Sequence, residues 1–123
     1  MREKRRFIRF NISLKIAYTV QKDPKVERTG MTKDVSAGGM QILTEENLQT
    51  GSRLEIKVFI PEAANPAHLS AVVLWSKKKD PEDKKLSHSA GIEFKGIEED
   101  NKSTFLKFLC DLMYRKIEEK EGG

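Results

Sequence analysis

The sequence predicts a mostly β domain, six antiparallel strands in a barrel or sandwich, followed by a single C-terminal helix. Three observations carry this. Short alternating apolar segments recur at regular spacing along the first ~95 residues, turn residues separate them, and the apolar period changes from two to about 3.6 near Glu98. At 123 residues the chain fits one domain, able to bury roughly two-thirds of the surface exposed when unfolded.

The first strand spans residues 11–20, with Ile12, Leu14, Ile16, Tyr18 and Val20 on one face and Asn11, Ser13, Lys15, Ala17 and Thr19 on the other. Residues 21–30 are polar and contain Pro24 and Gly30, which predicts a loop. A second strand covers about 31–35. Ser36, Ala37, Gly38 and Gly39 form a tight connection to a third, 40–44, because paired glycines permit close backbone approach.

After a connection over 45–52, residues 53–60 alternate again, with Leu54, Ile56, Val58 and Ile60 inward. Pro61 and Pro66 bound the next loop. A fifth strand is expected over 68–77, a lysine-rich hairpin tip over 78–85 and a sixth strand over 86–95. From Glu98, the residues Phe105, Leu106, Phe108, Leu109, Leu112, Met113 and Ile117 recur at helical spacing, with acids in the first turn and Lys116 and Lys120 near the end, as the helix dipole favours. Cys110 falls inside this apolar pattern and is read as a core thiol.

Composition excludes several classes. A hydrophobic share of 37% against 34% charged residues describes a folded protein with a charged surface rather than a disordered chain. No stretch approaches the roughly 20 apolar residues needed to span a bilayer, and no apolar run follows the basic start, so neither membrane insertion nor a signal peptide is expected and the location is read as cytoplasmic. His68 and His88 sit in no metal-ligand or nucleophile arrangement, and there is no GxxxxGK[ST] or GxGxxG. Catalytic residues, a metal and a cofactor are therefore not expected, and the chain is read as a non-enzyme.

The net charge of +4 favours anionic partners weakly, but its distribution is uneven: Arg2, Lys4, Arg5, Arg6 and Arg9 crowd the N-terminus. Arg5 and Arg9, four residues apart just before the first strand, bring two planar guanidinium forks to one sheet end. The plain alternative is a solvated basic tail. Asp34 and Ser36, two apart at a strand end, are expected to offer a carboxylate and a hydroxyl on one side, with Gly39 leaving room for a ligand at the backbone. Here the plain alternative is a polar turn capping its own backbone.

In order and spacing these two elements resemble the signature of the PilZ domain family, RxxxR followed downstream by D/NxSxxG. Arg5 and Arg9 match the first part; Asp34, Ser36 and Gly39 match the second. The resemblance extends to Val73, Leu74 and Trp75, to Gly91 through Phe94 and to the C-terminal helix, nearly the whole chain.

What the resemblance implies is a six-stranded β-barrel that binds the bacterial second messenger cyclic di-GMP, one or two molecules, a basic Lys4 before the motif being compatible with two. It implies residues 1–10 as a flexible ligand-binding segment, 11–97 as the barrel and 98–119 as a helix of the same domain. Arginine forks suit the guanine O6 and N7 acceptors, Asp34 suits the N1 and N2 hydrogens, and the phosphates need further cations. A micromolar complex requires about 8 kcal/mol and a bidentate arginine contact supplies about 1–3, so Lys4, Arg6, Val35, Gly38 and Trp75 are candidate additional contacts. Ligand is expected to order residues 2–9, and a downstream protein partner to read the changed surface. Two other readings remain: a nucleotide-independent PilZ-like interaction module, and a nucleic-acid binder using the tail and the lysines at 77–79, 84 and 85. The absence of interleaved aromatics along that lysine run argues against the second.

Overall fold

The computed structural model describes residues 8–78, 85–97 and 104–112. Six strands, β1 (Lys15–Val20), β2 (Asp23–Val35), β3 (Gly39–Thr44), β4 (Arg53–Val58), β5 (Ala67–Lys78) and β6 (His88–Ile97), close into a barrel in the order β1-β2-β3-β6-β5-β4. Every pairing is antiparallel, and β4 returns to β1. Closure leaves no open sheet edge. Between the two architectures open to the apolar pattern, barrel and sandwich, this is the barrel.

On β1 and β4 the inward rows are those the alternation implies. Ile16 and Tyr18 of β1, Leu54, Ile56 and Val58 of β4, and Val35, Met40, Ile42, Leu69, Val73 and Ile92 from the other strands form one buried cluster.

The largest departure is residues 21–30, read as a loop. Only Gln21 and Lys22 form a turn; β2 begins at Asp23 and runs 13 residues. Its register against β1 jumps from Tyr18↔Arg28 to Val20↔Asp23, so Pro24 lies in a stretch that bows out of the ladder, where a missing N–H costs little. Residues 23–27 are exposed throughout. With neither face buried there is no alternation to read.

β1 begins four residues later than expected. Leu14 remains buried, but the chain before Lys15 is tied down by a side chain: the buried Thr32 hydroxyl accepts from Leu14 N–H (2.8 Å) and donates to Ile12 C=O (2.6 Å). The β6 strand is displaced two residues C-terminally from 86–95, while β5 extends the expected 68–77 by one residue at each end.

The helix, α1, is described over residues 104–112. Phe105, Phe108 and Leu109 enter the core cluster, Leu112 packs at its margin, and the Phe105 ring meets Phe94 edge-on at 5.6 Å. Two expectations are corrected. Leu106 and Cys110 are exposed, because the buried stripe is the narrow 105, 108, 109, 112 set and positions 106 and 110 lie one step around the helix from it. The expectations for Met113, Ile117 and most of the hairpin tip lie outside the described residues. Among the described residues no helix is long and apolar enough to cross a membrane.

Candidate functional site

The site is assembled where the N-terminal segment meets the end of β2. Phe10 is buried and forms an isolated antiparallel bridge with Val35, donating to Val35 C=O (2.8 Å) and accepting from Val35 N–H (2.9 Å). This apolar anchor fixes the residue before it. Arg9 Nη1 lies 2.7 Å from Asp34 Oδ1, in an ion pair that joins the second arginine of RxxxR to the acid of DxSxxG.

Asp34 owes its aim to a β-bulge. The β2–β3 register passes from Thr32↔Ile42 to Asp34↔Gln41, so Lys33 is an extra residue. In a regular strand Asp34 would share the inward face of Thr32; the bulge turns its carboxylate outward. Oδ1 then accepts Gln41 N–H (3.2 Å) as well as the arginine. The Asp34 side chain keeps 11% of its surface exposed and that of Arg9 keeps 41%, leaving further guanidinium donors in water.

Ser36 is committed to its own turn. Its hydroxyl accepts from the N–H groups of Gly38 and Gly39 (3.2 Å each) and donates to Gly39 C=O (3.0 Å). The strand alternation implied that Asp34 and Ser36 address one ligand from one side; here their polar atoms serve different partners. Gly39 is required by packing: a Cβ there would overlap the carbonyl oxygen of Ile92 and lie 3.3 Å from Glu93 Cα, so β6 could not approach.

The additional candidates separate cleanly. Val35 is fully buried with both backbone groups held by Phe10, and so braces the site from within. Gly38 donates to Ser36 and accepts from Phe94 N–H (3.0 Å). Trp75 is half-buried and stands in register with the acid across three strand steps, Asp34↔Gln41, Gln41↔Gly91 and Gly91↔Trp75, about 14 Å along the sheet at ~4.8 Å per strand. The Lys77 ammonium lies 5.5 Å from the indole centroid, within cation–π range. Lys4, Arg5 and Arg6 lie outside the described residues.

Sequence reasoning missed Phe10 as the anchor, Gln41 as the backbone donor to Asp34 and Gly91 as the neighbour of Trp75. An apolar residue directly after Arg9 was a readable signal for the first; the other two depend on strand register. Among the described residues no group of three or more His, Cys, Asp or Glu could hold a metal ion.

Comparison with known proteins identifies the fold. Comparison with curated proteins found no match. Among solved structures, the Bacillus subtilis inhibitor of motility MotI/DgrA is similar at a TM-score of 0.71 and 20% identity, over 93% of this chain and 53% of that one. The PilZ domain of YcgR from Escherichia coli, solved with c-di-GMP, is similar at 0.69 and 19% identity, over 98% of both chains. MrkH, described as a c-di-GMP-dependent transcription regulatory factor, is similar at 0.69 and 20% identity, over 90% of this chain and 52% of its own. The chain thus spans about half the length of MotI/DgrA and MrkH. The model of the PilZ domain matches residues 3–110, and with the barrel and the paired motif residues described above, this chain belongs to the PilZ domain family.

Proposed function

We propose that this protein is a cyclic di-GMP receptor, without catalytic activity, whose ligand is gripped between the N-terminal arginines and the Asp34 end of β2. The observation that carries the reading is the Arg9–Asp34 contact at 2.7 Å, with Arg9 still 41% exposed. It sets a guanidinium fork, the natural partner of guanine O6/N7 or of a phosphate, beside a carboxylate that can accept from guanine N1 and N2. Arg5 supplies the second fork, Lys4 and Arg6 further cations, and Trp75 a stacking surface farther along the sheet. Ser36 and Gly39 hold the turn that keeps Asp34 in place. The YcgR domain of the same fold was solved with this ligand, which supports the choice of nucleotide.

Ligand binding orders residues 2–9, and a separate protein reads the changed surface. The protein works in the cytoplasm, where the messenger is found. One ligand molecule or two can be accommodated, with Lys4 favouring two.

One observation favours a second reading, a PilZ-like interaction module that needs no nucleotide: Ser36 and Gly39 are both accounted for by internal packing and hydrogen bonding. Calorimetric titration with cyclic di-GMP separates the two, with GTP as a competitor control and an Arg5→Ala, Arg9→Ala double variant alongside. Saturable binding is expected, weakened at least about 30-fold in the double variant if each arginine supplies about 1–3 kcal/mol. An unmodified protein that takes up no nucleotide would establish the interaction module instead. Hydrogen exchange over residues 2–9 that ligand leaves unchanged would remove the ordering step.

A further inference from the structure

The indole of Trp75 occupies the space that a side chain at Gly91 would need. A Cβ built on Gly91 would overlap Nε1 and Cε2 of Trp75 and lie 2.9 Å from Cζ2, nearer than real Cβ contacts come. Gly91 also pairs with Gln41, whose own partner is Asp34. The missing side chain therefore does more than spare a clash. It lets the aromatic group of β5 settle onto β6, in the same register row as the acid and beside Lys77. Small residues across from aromatics serve this purpose in sheets generally, the ring covering the bare backbone.

We propose that Gly91 is a positioning residue of the ligand site: it seats Trp75 so that the ring continues, along the same register row, the surface begun by Arg9 and Asp34 and offers a base of the bound nucleotide a face to stack on. This rests on the cyclic di-GMP reading above. Gly91 itself touches no ligand; its effect passes entirely through the indole. In Gly91→Ala the new methyl displaces the ring from β6, and the flexible side chain rather than the backbone yields, so the barrel still closes.

The chain contains one tryptophan, so selectively excited tryptophan emission reports this ring and no other. The experiment compares the unmodified protein with Gly91→Ala, Trp75→Ala and the double variant, reading tryptophan emission without ligand and cyclic di-GMP affinity by calorimetry. The expected result is a shifted emission maximum in ligand-free Gly91→Ala, with binding weakened about tenfold, the scale of one lost base–aromatic stack. Adding Gly91→Ala to Trp75→Ala should then weaken binding no further, because the group through which glycine acts is gone. Unchanged emission and affinity in Gly91→Ala would overturn the inference, as would an equal loss in both backgrounds, which would mark a general disturbance of the sheet. If the unmodified protein binds no cyclic di-GMP, the reading and the inference fall together. Binding by the unmodified protein with an indifferent Gly91→Ala removes the inference alone.

Discussion

Two arginine–carboxylate clusters lie toward opposite ends of β2, and they are built differently. Toward its start, Arg28 donates through Nε to Glu46 Oε2 (2.7 Å), its Nη2 lies 3.5 Å from Asp23 Oδ2, and the buried Tyr18 donates its hydroxyl to the same Glu46 oxygen (3.0 Å). The Arg28 side chain is 27% exposed, and its Nη1 is enclosed with no hydrogen-bond partner among the described residues. Burial, reinforced by the bond to Glu46, pushes the Tyr18 hydroxyl well above its ordinary range. Toward the other end, Arg9 makes one contact to Asp34, is more exposed, and stands outside the strands, held through the Phe10–Val35 bridge. A guanidinium held by several protein groups stabilises the barrel. One held, among the described residues, by a single carboxylate is free to take a second acceptor.

The strongest way to break this contrast is to remove one charge from each end. Arg9→Ala should weaken cyclic di-GMP binding about 10- to 100-fold while costing about 1–2 kcal/mol of unfolding free energy, since the largely buried Asp34 carboxylate loses its cation but keeps the bond from Gln41 N–H. Glu46→Ala should do the reverse, costing about 2–3 kcal/mol because it strands both the Tyr18 hydroxyl and the Arg28 guanidinium, with affinity unchanged. Denaturant unfolding and calorimetry on both variants check the pair; a comparable loss of affinity in Glu46→Ala would mean that the two ends are coupled.

A smaller effect sharpens the role of the turn. Gly39→Ala places a methyl against the Ile92 carbonyl and should cost about 1–3 kcal/mol through β3–β6 separation, read as a lower urea midpoint with unchanged slope. A variant as stable as the parent would show that β6 yields and that the glycine serves a ligand instead.

The smallest effect concerns pH. Tyr18 stays neutral in the folded barrel above the pH, about 10, at which it ionises in the unfolded chain. Between those two values the folded state holds the extra proton, so stability falls as pH rises, by at most about 1.4 kcal/mol per pH unit. Tyr18→Phe should remove that component of the alkaline slope in unfolding titrations above about pH 10.

The legibility of this protein in its sequence follows the same division. Strands with one buried face were readable: Leu54, Ile56 and Val58 turn inward as their alternation requires. The first half of β2 was not, because exposure on both faces erases the period. Cys110 and Leu106 were misassigned because an apolar helix pattern gives the width of a possible stripe, not the part a neighbour covers. At the site, Arg9 and Asp34 were legible as motif positions, and so were Ser36 and Gly39. The sequence left open whether Ser36 would face a ligand or cap its own turn; that it caps the turn, and that Gly39 admits a strand, required the third dimension.

What the sequence determined by itself is local: which residues alternate, where the chain turns and which charges gather at its start, since strand and helix periods come from backbone geometry within a few residues. Only the tertiary structure decided the strand order β1-β2-β3-β6-β5-β4, the extra residue at Lys33 that turns Asp34 outward, and the register that aligns it with Gln41, Gly91 and Trp75. Those features minimise the free energy of the whole closed barrel, in which shifting any strand by one residue would exchange its buried face for its exposed one.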